Sequence, residues 1–192
     1  MNKKDIKHQL EYFKHSDYHH MLSRYEKIIQ ILDLHKILFS AEKVMDYGCG
    51  MYGGIFSLMK FKQMVAFDPL WDRYTKKYVM EDVHCFKDIK NCGLNFDAVV
   101  SVDALNYEKY LNRTIEKIHK ILKPSGCLII HMNLRNKKQL NDYHRYYRKR
   151  NDVFELFQCN GKFEITRKEI LKKDPINNKS YRTILLWAKK NS

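Results

Sequence analysis

Glycine and proline are scarce in this chain of 192 residues, at seven and three. That scarcity excludes collagen-like and low-complexity architectures, which need those residues in bulk. No apolar stretch approaches the ~20 residues a membrane-spanning helix requires; the strongest are short runs such as Ile184–Ala188. The opening MNKKDIKHQL has no apolar core and does not read as a secretory signal. The five cysteines (Cys49, Cys85, Cys92, Cys127, Cys159) are scattered with no C-x-x-C pair, which removes zinc ribbons and thioredoxin-type redox chemistry. They read as reduced thiols, mostly buried. Acidic residues are also outnumbered: 22 Asp plus Glu against 36 Lys plus Arg, a formal charge of +14. That excess favours phosphate-bearing partners, although compositional bias toward Lys, Asn, Ile and Tyr produces it equally well. Apolar residues, by contrast, make up 44% and aromatics 13%, which excludes a disordered chain and suffices for one packed core. The expectation is a single soluble, cytoplasmic domain.

Residues 3 to about 39 read as two helices, with Ser16 and Asp17 interrupting them and offering N-cap oxygens for the second. Leu22, Tyr25, Ile29 and Leu32 recur at three- and four-residue spacing and give that helix one apolar face. From Val44 onward the pattern changes to short apolar runs: Val44–Tyr47, Met64–Phe67, Val83–Phe86, Ala98–Val102 and Cys127–His131. Continuous runs of this kind suit strands buried on both faces of a parallel sheet. Tyr107–Leu122, with Tyr110, Leu111, Ile115, Ile118 and Leu122 on one side, reads as a crossover helix. The sum is an α/β, doubly wound fold. A helix over about Lys138–Phe157 then precedes two extended stretches, Lys162–Leu171 and Tyr181–Lys189. The turn chemistry of Asp174, Pro175, Asn177 and Asn178 between them predicts an antiparallel hairpin at one sheet edge.

The most informative stretch is Val44-Met-Asp-Tyr-Gly-Cys-Gly-Met-Tyr-Gly-Gly54. A buried strand ends in Asp46, glycines follow, and a helix is expected to start near Ile55. Glycine lets the backbone turn sharply and lets a ligand approach with no Cβ in the way. The carboxyl end of the first strand is where open α/β sheets place nucleotide-like ligands. Asp68 ends the second strand 18 residues after Gly50, where a carboxylate reaches both hydroxyls of a ribose. Asp88 follows the third strand, near where an adenine amino group would sit.

With these residues in place the chain resembles the class I S-adenosylmethionine-dependent methyltransferases, from about Val44 to Met132. The family's Asp-x-Gly-x-Gly signature appears as Asp46-Tyr-Gly-Cys-Gly50, and its ribose-binding acid matches Asp68. Phe96–Leu105 resembles the strand-four motif. Ile121-Leu-Lys-Pro-Ser-Gly-Cys-Leu-Ile-Ile130 resembles the Leu-Lys-Pro-Gly-Gly turn into strand five, with Ser125 replacing one glycine. The Leu-Lys-Pro turn argues against the main competitor, an NAD-binding dehydrogenase. Met51 and Tyr52 depart from the small residue the family usually carries after Gly50. The resemblance implies a seven-stranded, mostly parallel sheet of order 3-2-1-4-5-7-6. It also implies a layout of helical lid (1–40), cofactor-binding core (41–135), and acceptor-side helix with C-terminal hairpin (136–192). It implies S-adenosylmethionine as cofactor, S-adenosylhomocysteine as product, and cofactor contacts from Gly48, Cys49, Gly50, Asp68, Pro69, Asp88 and Ser101. Asp46 would orient the glycine loop or hold the methionine amino group.

Before the first strand, Tyr18-His19-His20 and Arg24 fall in the lid. Arg24 would either pair with the cofactor carboxylate, its planar fork suiting that group, or sit with Tyr18 on an exposed helix face. Candidates for an acceptor-side base are His131 and Asp103 at strand ends, Tyr107 beyond the fourth strand, and His20 with His19 in the lid; histidine accepts protons near neutrality. Asp103 with Asn133 is too thin a set for a metal, and none is expected.

The strand-four exit Ser101-Val-Asp-Ala104 is not the Pro-Pro-Tyr loop of adenine amine methylation, and no Pro-Cys nucleophile for cytosine is present. The segment 135–150 carries seven basic residues (Arg135, Lys137, Lys138, Arg145, Arg148, Lys149, Arg150) against one Asp, with Tyr143, Tyr146 and Tyr147 interleaved. It reads either as a phosphate track with stacking rings or as a solvated amphipathic helix. Two functions follow: O- or N-methylation of a small molecule, a phosphate-bearing sugar or metabolite among the candidates, and modification of RNA or a nucleotide. No membrane partner is expected.

Overall fold

The computed structural model of the chain describes residues 3–74, 81–134, 153–155, 162–171 and 182–191. Helices α1 (Lys3–Lys14) and α2 (Tyr18–Leu32) open it, followed by the single turn α3 (Leu34–Ile37). Asp17 caps α2, its carboxylate accepting from the backbone N–H groups of His19 and His20, two donors that a helix start leaves open. Met21, Tyr25, Ile28, Ile29 and Leu32 of α2 are buried; the expected stripe holds at Tyr25, Ile29 and Leu32, while Leu22 is only half-buried and Met21 and Ile28 pack in its stead.

Seven strands form one sheet: β1 (Lys43–Tyr47), β2 (Gln63–Phe67), β3 (Val83–Phe86), β4 (Phe96–Val102), β5 (Leu122–Leu134), β6 (Phe163–Leu171) and β7 (Arg182–Lys190). Their order is β3-β2-β1-β4-β5-β7-β6. The first five pair in parallel, and β7 runs antiparallel between β5 and β6. The expected sheet order and hairpin are both there. Alternate side chains enter two separate cores, as the strand period of two dictates. On one face Met45, Val65, Val99, Leu128 and Ile130 meet Leu111, Ile115 and Ile118 of α4 (Leu111–Ile121). On the other, Val44, Met64, Ala66, Val100 and Ile129 meet the buried stripe of α2. Among the described residues no helix is long and apolar enough to cross a membrane.

Two expected elements are different. The crossover helix read over Tyr107–Leu122 spans only Leu111–Ile121, with Tyr107 in a 3-10 turn, Tyr110 exposed and Leu122 already in β5. The helix anticipated near Ile55 is replaced by two 3-10 turns, Gly50–Tyr52 and Gly54–Ser57. Gly53 and Gly54 both take positive φ, 75° and 59°, which a right-handed helix excludes. The chain then has only the span to Gln63 in which to reach β2, and α2 covers the face that a crossover helix would have filled. The β3–β4 connection likewise holds one 3-10 turn, Ile89–Asn91. The expected helix over 138–157 lies outside the described residues except for the helical turn 153–155, whose Val153 and Phe154 are buried against the α4 core. The basic residues Arg135, Lys137, Lys138, Arg145, Arg148, Lys149 and Arg150 lie outside them too.

Ser125, near the start of β5, has φ 61° and is exposed. A side chain at positive φ is strained, and no buried contact compensates here. Ser125→Gly therefore raises stability by about 0.5–1 kcal/mol, partly offset by the entropy of the unfolded glycine. The check is a urea midpoint shifted upward at unchanged slope.

Candidate active site

Two buried carboxylates define the carboxyl end of the sheet. Asp46 lies on β1, 1% exposed, on the face toward α2. Its Oδ2 accepts from the Ile55 N–H at 2.7 Å. A Cβ on Gly54 would stand 1.7 Å from that same oxygen, so residue 54 is glycine because the Asp46 carboxylate passes through the place of a side chain. Burial pushes the Asp46 carboxyl up to about 7; the Ile55 N–H opposes this, and the Asp68 charge adds to it.

Asp68 follows β2 and is also buried. Its Oδ2 accepts from the Gly50 N–H at 3.0 Å and its Oδ1 from the Leu70 N–H at 2.8 Å. Tyr74 hydrogen-bonds the same carboxylate. Burial raises its pKa, and these donors pull the other way. The Gly48 and Cys49 N–H groups both donate to Phe67 O, at 2.7 and 3.2 Å, laying the glycine loop back along β2. Cys49 is buried, and desolvation holds its thiol protonated. Pro69 is exposed beside Asp68. Asp88 is exposed beyond β3, its carboxylate capping the Lys90 N–H at 3.0 Å. Ser101 is fully buried, but it alternates with Val100 and Val102 and so points to the α4 face, away from Asp46 and Asp68.

A second polar cluster forms where β4 and β5 end. Asp103 sits at φ 52°, and its N–H donates to His131 O at 2.9 Å. The turned backbone aims its carboxylate toward α2. There Oδ1 meets His131 Nδ1 and accepts from Asn133 Nδ2, each at 3.1 Å, and lies 3.4 Å from Asn106 Nδ2. Oδ2 takes an ion pair from Arg24 Nη2 of α2. A carboxylate only accepts, so His131 Nδ1 carries the hydrogen that faces it, and Nε2 is the basic nitrogen of the neutral ring. The structure thus brings together His131, Asp103 and Arg24. Arg24 is committed to Asp103 rather than to solvent or open loop, and Asn133 presents its amide donor to Asp103. Among the described residues no group of three or more His, Cys, Asp or Glu is placed to hold a metal. Tyr107 is half-buried in the turn after β4, and His20 is exposed at the start of α2 with its backbone on Asp17.

A third feature escaped the sequence. The ring of Phe13 on α1 lies over Gly50: a Cβ there would be 2.7 Å from Cζ and 2.9 Å from Cε1. Phe13 packs on Tyr74 and Tyr52, with centroids 5.2 and 6.3 Å apart, and Tyr18 packs on Tyr52 at 5.5 Å. The Tyr52 hydroxyl donates to Ser16 O at 2.6 Å, tying the loop to the α1–α2 joint. Tyr52 was visible as unwanted bulk in the glycine loop; that it answers an aromatic residue on α1 has no local signal.

A family model described as a methyltransferase domain matches residues 18–160. No curated protein matches the sequence. Solved structures similar to the chain include the 1,6-didemethyltoxoflavin-N1-methyltransferase of Burkholderia thailandensis with its substrate and S-adenosylhomocysteine (18% identity, TM-score 0.62, 83% of this chain and 76% of that one). Another is the magnesium protoporphyrin IX methyltransferase of Synechocystis with S-adenosylhomocysteine bound (14%, 0.62, 88% and 84%). A third is the N-methyltransferase NodS of Bradyrhizobium japonicum, also with S-adenosylhomocysteine (14%, 0.60, 88% and 88%).

The Asp46 environment has a pH consequence. A folded-state pKa of about 7 against about 3.9 in the unfolded chain means that the folded state holds this proton more tightly. The associated stability is complete below pH ~4 and is lost as pH rises toward 7. Asp46→Asn keeps an acceptor for Ile55 and cannot ionise. It is expected to stabilise by roughly 1–4 kcal/mol at pH 8 and to change little at pH 4, as read by urea denaturation at the two pH values.

Proposed function

The chain belongs to the class I S-adenosylmethionine-dependent methyltransferases, and from that premise we propose that it methylates a nitrogen or oxygen of a small molecule held where α2 faces the ends of β4 and β5. The observation that carries this reading is the His131–Asp103 contact with its flanking Arg24, Asn106 and Asn133. It is an acid–base pair set in a polar cluster at the ends of the central strands.

The glycine loop and Asp68 suit the cofactor. Gly50 carries no Cβ and lies beside a buried carboxylate, the combination that nucleoside ligands use at the carboxyl end of an α/β sheet. When bound, S-adenosylmethionine supplies a methyl carbon made electrophilic by the neighbouring sulfonium. Asp68 would accept a ribose hydroxyl through the lone pair that Gly50, Leu70 and Tyr74 leave unused, since a carboxylate offers about four acceptor positions. Asp88 and Pro69, on the exposed side of the β2 and β3 ends, would line the adenine side. Asp46, spent on Ile55, orients the loop.

His131 then serves as acceptor-side base. Asp103 fixes its tautomer, and Arg24 holds Asp103 in an ion pair. A base so placed contributes about 10²–10⁴ to rate where the acceptor must lose a proton. The similar structures that name an acceptor name small ones, a toxoflavin precursor and a magnesium porphyrin, and the formal charge of +14 suits an acidic or phosphorylated acceptor. The RNA- or nucleotide-modifying alternative rests on the basic residues of 135–150.

Formation of S-adenosylhomocysteine across a panel of N-heterocycles, phenols, phosphorylated sugars and short RNAs tests the assignment. Turnover is expected with small acceptors; turnover with RNA alone, together with salt-sensitive RNA affinity, contradicts it. His131→Asn is expected to lower kcat by about 10²–10⁴ while S-adenosylhomocysteine affinity holds. Asp68→Ala is expected to weaken that affinity by about 1–3 kcal/mol in calorimetry.

A further inference from the structure

We propose that the chain occludes its own cofactor site: α1 lays Phe13 on Gly50, and the ring must leave before a nucleoside can enter. This rests on the reading that S-adenosylmethionine is held at Gly50 and Asp68. The value of a glycine at this loop position is the space it leaves beside the backbone, and in this structure the protein's own side chain fills that space. A Cβ on Gly50 would lie within 3 Å of two ring carbons of Phe13, closer than real contacts allow, so no ligand atom fits between the ring and the loop.

The stopper is coupled to the acid beneath it. Phe13 packs edge-on against Tyr74 at 5.2 Å, and Tyr74 hydrogen-bonds Asp68. Asp68 in turn spends one lone pair on Gly50 N–H and one on Leu70 N–H. Aromatic cover, glycine loop and carboxylate therefore form one closed arrangement, in which each polar group already has a protein partner.

The two lid helices are held very differently, which decides what moves. Helix α2 buries five residues and pairs Arg24 with Asp103. Among the α1 residues whose side chains are described, none is fully buried; Ile6, Leu10 and Phe13 only half-bury theirs against the core. Segments with few buried apolar contacts open first. The joint between the helices lies at Ser16 and Asp17, where the Tyr52 hydroxyl grips Ser16 O at 2.6 Å. Helix α1 can swing away about that joint while α2 stays on the sheet with the Asp103–His131 cluster intact. Occlusion then reduces the apparent cofactor affinity in proportion to the fraction of molecules that are open, and any change that favours the open state tightens binding.

Two substitutions test this through binding alone. Phe13→Ala removes the stopper and is expected to tighten S-adenosylhomocysteine binding about three- to tenfold and to speed association, followed by stopped-flow fluorescence of Trp71, which packs on Tyr74. Tyr52→Phe keeps the ring and loses the grip on Ser16, with an expected tightening of up to about fivefold. A lid that merely folds over a bound cofactor gives the opposite sign, so weaker or unchanged affinity in both variants overturns the proposal. Asp68→Ala, measured alongside, separates it from the reading it rests on. If Asp68→Ala weakens binding while neither lid variant tightens it, occlusion fails and the cofactor site stands. If neither the wild type nor any variant binds, both fail. If Phe13→Ala binds where the wild type does not, occlusion is supported outright.

Discussion

Two carboxylates that end neighbouring strands, each buried and each held by backbone N–H groups, set the geometry on which the rest depends. Asp46 on β1 receives Ile55, and Asp68 beyond β2 receives Gly50 and Leu70. Buried carboxylates are costly unless their oxygens are satisfied. The sheet supplies the positions, the loop supplies the donors, and the glycine conformations follow from the need to bring those donors inward. Burial, in turn, leaves Asp46 poised near neutrality, so the loop is held at some expense to stability.

Around that loop the two N-terminal helices divide their work. Helix α2 is part of the core, packing on the sheet face that a conventional crossover helix would occupy and delivering Arg24 to Asp103 across 79 positions of sequence. Helix α1 contributes a ring to the glycine loop and little else that is buried. In the proposed assignment the firmly packed helix completes the acceptor side, and the loosely packed one covers the cofactor side. Methyl transfer requires both compartments at once, which makes the α1–α2 joint the natural place for control.

Much of this was legible in the sequence, for identifiable reasons. The inner strands β1 and β2 are buried on both faces, so Met64–Phe67 announces itself as an unbroken apolar run and Val44–Tyr47 as one interrupted by Asp46 alone; the edge strand β3, Val83–Phe86, carries an exposed His84 and is fully buried only at Val83, and the turn residues between β6 and β7 announce the hairpin. Asp46, Gly50 and Asp68 stood out because chemistry fixes their places relative to strand ends. What escaped depends on contacts between distant segments. The helix near Ile55 gave way to 3-10 turns because Gly53 and Gly54 turn inward to meet Asp46, a demand that no propensity reports. Arg24 reads equally well as an exposed residue until Asp103 is folded beneath it. Phe13 is one apolar residue of an amphipathic helix until Gly50 arrives under its ring.

The central claim is that the cofactor lies over Gly50 with its ribose on Asp68. A crystal structure of the complex with S-adenosylhomocysteine tests it most directly. A ribose hydroxyl is expected within hydrogen-bond distance of the Asp68 carboxylate, with the thioether sulfur on the side of the His131–Asp103 cluster and the Phe13 ring withdrawn from the loop. A nucleoside seated elsewhere on the sheet, with Phe13 still against Gly50 and Asp68 untouched, would contradict it.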